Sequence, residues 1–229
     1  MGIILDGNRR WAEHSSYPRW LGHWRGAQTA VELLDWCLDL GIKTVTLYVL
    51  SAENLDRSKD EVQELLRVID GKLLDLKASE RIRSERVAVK ALGRIELLPE
   101  STRKLLRELE EDTMNNENHF LNIAIAYGGR DEIIDVMRKI GEEIQGGKII
   151  PSQITSKTVE EFLYTSHLPN PEPDLIIRTS GEERLSGFLL WQSAYSELVF
   201  IDDCWPDFRK IDLMRAIRTF QRRKRRFGR

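Results

Sequence analysis

Asp6, Gly7, Asn8, Arg9 and Arg10 follow directly on the apolar run Ile3-Ile4-Leu5 and precede a long amphipathic stretch. A carboxylate, a Gly-Asn turn and two arginines at such a junction read as a strand emptying into a helix. Open α/β sheets bind ligands at that place, and backbone N–H groups there favour anions. Gly7 lets the backbone approach a ligand closely. Arg9 and Arg10 offer forked donors for phosphate oxygens, and Asp6 beside them suits a divalent cation. Taken alone, the stretch is also an ordinary surface turn in which Asp6 caps the next helix. Two more polar clusters close other apolar runs: Ser51-Ala52-Glu53-Asn54-Leu55-Asp56-Arg57, and Arg178-Thr179-Ser180-Gly181-Glu182-Glu183-Arg184-Leu185-Ser186. The latter, with two arginines, small hydroxyls and a glycine, is built like a phosphate cradle. Strand ends of a parallel sheet share one edge, so the three clusters should converge on a multi-phosphate site.

The elements that must position them alternate along the chain. Residues 24–40 carry Ala27, Val31, Leu34 and Leu38 at helical spacing, and Gly41 ends the pattern. Residues 44–50 are β-branched and nearly all apolar, as a strand buried on both faces should be. Ser58-Lys59-Asp60-Glu61 is a capping box that opens a helix with Val62, Leu65, Leu66, Ile69, Leu73 and Leu76 on one face. Residues 87–92, 120–127, 174–178 and 198–201 read as further strands. A charged helix opens at Pro99, another follows Gly128-Gly129-Arg130-Asp131, and an arginine-rich one spans 209–226. The pattern predicts one α/β domain over residues 1–229: a mostly parallel sheet of roughly six strands flanked by helices. The first strand has little lead-in, so the native start is either short or truncated.

The 229 residues suffice for a sizeable core, and 35 Lys+Arg against 37 Asp+Glu leave a formal charge of -2. A nucleic-acid binder would be strongly basic, so no nucleic acid is expected as a partner. Cys37 and Cys204 show no paired metal-binding spacing and fit a reduced, cytoplasmic setting. No apolar run reaches the roughly 18 residues of a spanning helix. No P-loop or dinucleotide-binding glycine motif occurs. Asp6 also suits a phosphatase nucleophile, but Asn8 stands where such an enzyme needs its second carboxylate.

The stretches Asp6-Gly7-Asn8-Arg9-Arg10-Trp11-Ala12, Ser51-Ala52-Glu53-Asn54, Tyr127-Gly128-Gly129-Arg130, Arg178-Thr179-Ser180-Gly181-Glu182, Phe188-Leu189-Leu190-Trp191-Gln192 and Trp205-Pro206-Asp207-Phe208 occur in that order. Together they resemble the motifs of the cis-prenyltransferases, the undecaprenyl diphosphate synthase family. The Asn-Arg-Arg and Thr-Ser-Gly-Glu variants are closer to archaeal and eukaryotic members than to the usual bacterial form. The resemblance implies Mg²⁺-dependent condensation of isopentenyl diphosphate with an allylic prenyl diphosphate, forming a cis double bond. It implies that Asp6 binds Mg²⁺, with Glu197 as a second metal-side carboxylate. Gly7, Asn8, Arg9, Arg10, Arg19 and His23 would line the allylic diphosphate site. Arg178, Arg184 and Ser186 would hold isopentenyl diphosphate. Substrate contact would extend to Trp11, to Ser51, Ala52, Glu53, Leu55 and Arg57, and to Leu185. Asn54 is the family's assigned proton acceptor at C2 of isopentenyl diphosphate. An amide is a poor base, so Asn54 is expected to orient the substrate while a diphosphate oxygen takes the proton. The family lines a hydrophobic tunnel with the helix carrying Val62 to Leu76.

Further implications concern assembly. Arg226-Phe227-Gly228 resembles a C-terminal motif that reaches across a homodimer to the partner's diphosphate site. The basic run Arg222 to Arg226 is otherwise a solvated helix face, or a peripheral contact with anionic lipid worth about 1 kcal/mol per charge. The chain departs from the family pattern at four positions. Leu55 replaces an aromatic residue, Glu183 replaces a histidine beside the isopentenyl site, and Val49 and Ile125 stand on presumed tunnel strands where long-chain members have alanine. The last difference leads us to expect a short or medium product. The rival readings are a non-catalytic partner subunit of a hetero-oligomeric prenyltransferase, or an enzyme using a non-standard acceptor. Against the subunit, Asp6, Arg10, Arg19, Arg178 and Arg184 are all present.

Overall fold

The structure, a computed structural model, describes residues 1–223. Strands β1 (Gly2–Ile4), β2 (Thr44–Ser51), β3 (Val87–Leu92), β4 (His119–Tyr127), β5 (Leu175–Arg178) and β6 (Glu197–Phe200) form one sheet. Their order is β3-β4-β2-β1-β5-β6, and every neighbouring pair is parallel. The chain leaves β1 toward β2 and returns later on its other side as β5. Connections therefore diverge at the β1–β5 boundary, and a crevice opens beyond the strand ends there.

The helices are α1 (Asn8–His14), α2 (Arg19–Asp39), α3 (Lys59–Ala78), α4 (Glu80–Ser84), α5 (Glu100–Thr113), α6 (Gly129–Gln145), α7 (Ser156–Glu160) and α8 (Lys210–Arg222). Alternate strand residues face opposite sides of the sheet. Ile3, Leu47, Ile123 and Ile177 pack with Leu33 of α2, Leu66 and Ile69 of α3, Leu106 of α5 and Leu213 of α8. Their neighbours Ile4, Tyr48, Ala124 and Ile176 pack instead with Phe188 and Leu189. Cover on both faces is why the strands read as continuous apolar runs rather than as alternating ones.

Helix α2 begins at Arg19, one turn earlier than its apolar spacing announces. Trp20 and Trp24 are 46% and 48% exposed, so they lie off the buried face and interrupt the pattern there. The short α4 also went unannounced. Among the described residues no helix is long and apolar enough to cross a membrane. The Arg226-Phe227-Gly228 motif lies outside the described residues.

Candidate active site

Asp6 sits at the end of β1 with its backbone held from two sides. Its N–H donates to Thr179 Oγ1 at 3.1 Å, and its carbonyl accepts from that hydroxyl at 2.7 Å and from Trp205 N at 2.9 Å. Trp205, fully buried, is itself fixed by an Nε1 bond to Gly26 O at 2.7 Å and by stacking on Phe208. Gly7 follows with φ of 103°, in the left-handed region, and a Cβ there would lie 2.9 Å from Ser180 Cβ. Glycine is required at this turn for both reasons. Gly7, not Asp6, is the N-cap of α1, and no side chain caps that helix. The Asp6 carboxylate is therefore committed elsewhere than to a helix cap.

It is committed to arginines. Arg178 Nη2 donates to Asp6 Oδ2 at 2.7 Å, and Arg10 Nη2 lies 3.2 Å from Oδ1. Burial works against the charge, but the Arg178 bond and the charges of Arg178 and Arg10 outweigh it. The carboxyl is held below its usual range. Arg178, 5% exposed, also donates to Ser186 Oγ at 2.8 Å and to Arg184 O. Arg10 reaches Ser180 O at 3.0 Å and Glu182 Oε1 at 3.2 Å, and Arg184 pairs with the other oxygen of Glu182. Glu182 thus carries the counter-charge of two arginines, one from the first cluster and one from the third.

All three clusters border one polar cavity of about 860 Å³. The first contributes Asp6 through Arg10, with His23 of α2; the second contributes Ser51, Glu53, Asn54 and Arg57; the third contributes Arg178, Arg184 and Ser186. Ser51 and Asn54 cap the 3-10 turn Ala52–Asp56 reciprocally, with Asn54 Oδ1 accepting from Ser51 N at 3.4 Å. That acceptor is already in use, so the Asn54 amide N–H₂ is the group left to meet a ligand. Glu61 organises the second cluster from behind, 3.1 Å from Arg57, 3.7 Å from Arg9 and 3.9 Å from His23. Burial lowers the His23 pKa, against the pull of Glu61, and so favours the neutral imidazole.

A narrower apolar cleft of about 100 Å³ opens from this cavity between α2, α3 and the sheet. Leu5, Asn8, His23, Val49 and Leu65 border both spaces. At this junction Asn8 Oδ1 and His23 Nε2 are buried with no hydrogen-bond partner, two polar atoms suited to a ligand that crosses from one space to the other. Gly26 makes room for Asn8, since a Cβ there would lie 2.0 Å from Oδ1.

Several residues singled out in the sequence are not brought here. Glu197 begins β6 opposite Leu175, at the far end of the sheet from Asp6. Three strand residues at about 3.3 Å each separate those ends. Its carboxylate pairs with Arg223 at 2.6 Å instead, so within one protomer it does not face the Asp6 site. Trp11 donates to Asp207 at 2.9 Å and Arg19 pairs with Glu13 at 3.3 Å, both outside the cavity lining. Ala52, Leu55 and Leu185 do not line it either, and Leu55 packs on the core. Glu183 is exposed outside the lining, and Arg184 is paired with Glu182 rather than with it. Val49 borders the cleft as expected, whereas Ile125 is fully buried in the core outside it. Conversely, Tyr48, Arg130 and Asp131 line the cavity without having been chosen. The turn Gly128-Gly129-Arg130-Asp131 after a strand was the available signal.

The Prenyltransf family model, that of the undecaprenyl diphosphate synthases, matches residues 4–228. The chain belongs to this family. It is 52% identical over 229 residues to the tritrans,polycis-undecaprenyl-diphosphate synthase (geranylgeranyl-diphosphate specific) of Methanopyrus kandleri, covering all of this chain and 84% of that one. It is 50% identical over 228 residues to the protein of the same description from Methanocaldococcus jannaschii, covering all of this chain and 81% of that one. Lavandulyl diphosphate synthase of Lavandula x intermedia, solved in complex with dimethylallyl diphosphate, superposes with a TM-score of 0.96 at 35% identity. That match covers 100% of this chain and 97% of the other. As a member of the undecaprenyl diphosphate synthase family, the chain is a prenyltransferase.

Proposed function

We propose that this prenyltransferase adds isopentenyl diphosphate repeatedly to geranylgeranyl diphosphate, making a cis-polyprenyl diphosphate of undecaprenyl length. One observation carries the reading: a cavity rich in arginine, large enough for two diphosphates, continues directly into an apolar cleft. Primer and length follow the names of relatives half identical over the full chain. Arg9, Arg10, His23, Asn8 and the uncapped α1 backbone would hold the allylic diphosphate. Arg178, Arg184 and Ser186 would hold isopentenyl diphosphate, and each diphosphate would displace Glu182 from its arginine.

Asp6 fits as the protein ligand of Mg²⁺, being a hard oxygen donor kept ionised beside both diphosphate subsites. Among the described residues no group of three His, Cys, Asp or Glu side chains converges to hold a metal. Diphosphate oxygens and water would supply its remaining ligands, as is usual for Mg²⁺ on phosphorylated substrates. Bound there, Mg²⁺ would offset charge on the departing diphosphate. Cleavage of the allylic C–O bond leaves that charge on oxygens aimed at Arg9 and Arg10, fixed donors that strengthen as it develops. The isopentenyl double bond attacks the resulting cation, and Asn54 orients it while a diphosphate oxygen accepts the C2 proton. A second copy of the chain is the proposed partner, since Ile134 and Met137 leave an apolar stripe exposed on α6.

The direct test is diphosphate release with geranylgeranyl diphosphate, Mg²⁺ and isopentenyl diphosphate, each omitted in turn. Release requiring all three supports the reading, and release without isopentenyl diphosphate shows a hydrolase instead. The cleft yields a second expectation. Val49→Ala lengthens the product, because Val49 borders the space the chain enters. Ile125→Ala leaves product length unchanged and costs about 2–5 kcal/mol of stability, as for other buried truncations. Chromatographic sizing and urea unfolding check the two halves.

A further inference from the structure

The apolar cleft holds about 100 Å³, far less than the diphosphate cavity beside it, so a lengthening prenyl chain must open it. Its walls are unequally tied. The sheet wall is central, and α3 is fastened to α5 by Thr102 Oγ1 to Asp70 Oδ1 at 2.7 Å and Lys77 Nζ to Glu108 Oε2 at 2.6 Å. Helix α2 faces the cleft with the small residues Gly26, Ala27 and Ala30, beside Val31 and Leu34. Polar contacts from α3 and α4 cross the seam to α2 at three levels. Glu61 of α3 meets His23 at the mouth. At the far end Arg81 of α4 pairs with Asp35 at 2.9 Å and with Asp39 at 2.5 Å. Midway, Lys72 Nζ donates to Gln28 Oε1 across the seam at 3.4 Å and to Asp75 at 2.8 Å on its own helix.

Lys72 is unlike its surroundings. It is the one Lys, Arg, Asp or Glu among the described residues that line the cleft. Its stem covers apolar surface while its ammonium stays at the partly exposed edge, the usual disposition of a long cationic side chain. We propose that the α2–α3 seam is the wall that yields as the product grows, and that Lys72, latched to Gln28, limits how far it yields and so helps set product length. The inference rests on the polyprenyl-synthase reading above. Past this level the chain must part the latch and run beside an ammonium held only by Asp75 and solvent, a charge that an apolar chain cannot solvate. Lys72 lies outside the lining of the diphosphate cavity, so it acts as a length-determining residue and not as a catalytic one.

The test compares Lys72→Met, Lys72→Arg, Gln28→Leu and the double variant Lys72→Met/Gln28→Leu. Lys72→Met keeps an unbranched stem and removes the donor. The expected result is a product distribution shifted upward by at least one isoprene unit in Lys72→Met and in Gln28→Leu, with no further shift in the double variant. Lys72→Arg keeps the native length, and the rate of the first addition is unchanged throughout. An unchanged or shortened distribution in Lys72→Met, or equal lengthening in Lys72→Arg, overturns the proposal. Equilibrium binding of saturated alkyl diphosphates of increasing chain length gives a readout that needs no turnover. Affinity should go on rising to longer chains in Lys72→Met than in the native protein, and coincident length dependences overturn the latch. A native protein that makes no elongated product, yet shows this difference in binding, counts against the synthase reading and not against the latch.

Discussion

Asp6→Asn lowers kcat about 10²–10³-fold with a smaller change in KM, the loss expected when one preorganised electrostatic group is removed from a developing charge. Asparagine keeps the shape of Asp6 and an oxygen for Arg178 Nη2, now 2.7 Å from the carboxylate. It removes the negative charge that would hold Mg²⁺, while Arg9 and Arg10 remain to bind diphosphate. The backbone clamp from Thr179 and Trp205 does not depend on the side chain, so the fold survives. The same variant has a stability signature. The Asp6 pKa is depressed in the folded protein, so its stabilising share is complete above the unfolded value of about 3.9 and is lost as pH falls through the folded value. Unfolding curves of native protein and variant therefore differ at pH 7 and converge in acid. A gap that persists unchanged at the lowest pH contradicts this account of the Asp6–Arg178 pair.

Arg178→Ala has the second large effect, on kcat/KM for isopentenyl diphosphate. The guanidinium is 5% exposed and ties together Asp6, Ser186 and the Arg184 carbonyl. A hydrogen bond to a charged group is worth about 1.5–3 kcal/mol. Losing two such bonds to a diphosphate lowers kcat/KM by about 10²–10⁴-fold at 1.4 kcal/mol per decade. Arg178→Lys does not rescue it, because a point ammonium cannot span Asp6 and Ser186 as a fork does. Steady-state kinetics with each substrate varied in turn checks the assignment. An equal rise in KM for the allylic substrate would mean that Arg178 supports the whole cavity rather than one subsite.

Much of this site is legible in the sequence because its physics is local. Each cluster follows an apolar run, and parallel pairing brings the ends of such runs to one edge, as Asp6, Ser51 and Arg178 show. Gly7 was readable as a backbone requirement and is one, at φ of 103°. Other features depend on packing that no local pattern records. Glu61 reads as a helix-capping residue, yet it faces Arg9, His23 and Arg57 once α3 docks on α2. Trp205 reads as part of a motif, and only the fold shows it fastening Gly26 and Asp6 to one another. Ile125 shares a sheet face with Ile123, but only Ile123 borders the cleft, a distinction set by where α2 and α3 lie. Glu197 carried a usable signal, since it precedes its apolar run and so starts the strand away from the site.

The central claim is that the arginine-lined cavity and the apolar cleft are two parts of one elongation site. It is tested most directly by incubating the protein with Mg²⁺, labelled isopentenyl diphosphate and geranylgeranyl diphosphate, and sizing the extracted products by chromatography. The account predicts a ladder of cis-polyprenyl diphosphates ending near undecaprenyl length, shifted upward by Val49→Ala and formed about 10²–10³-fold more slowly by Asp6→Asn. A single addition product, unaltered in length by Val49→Ala, would contradict it.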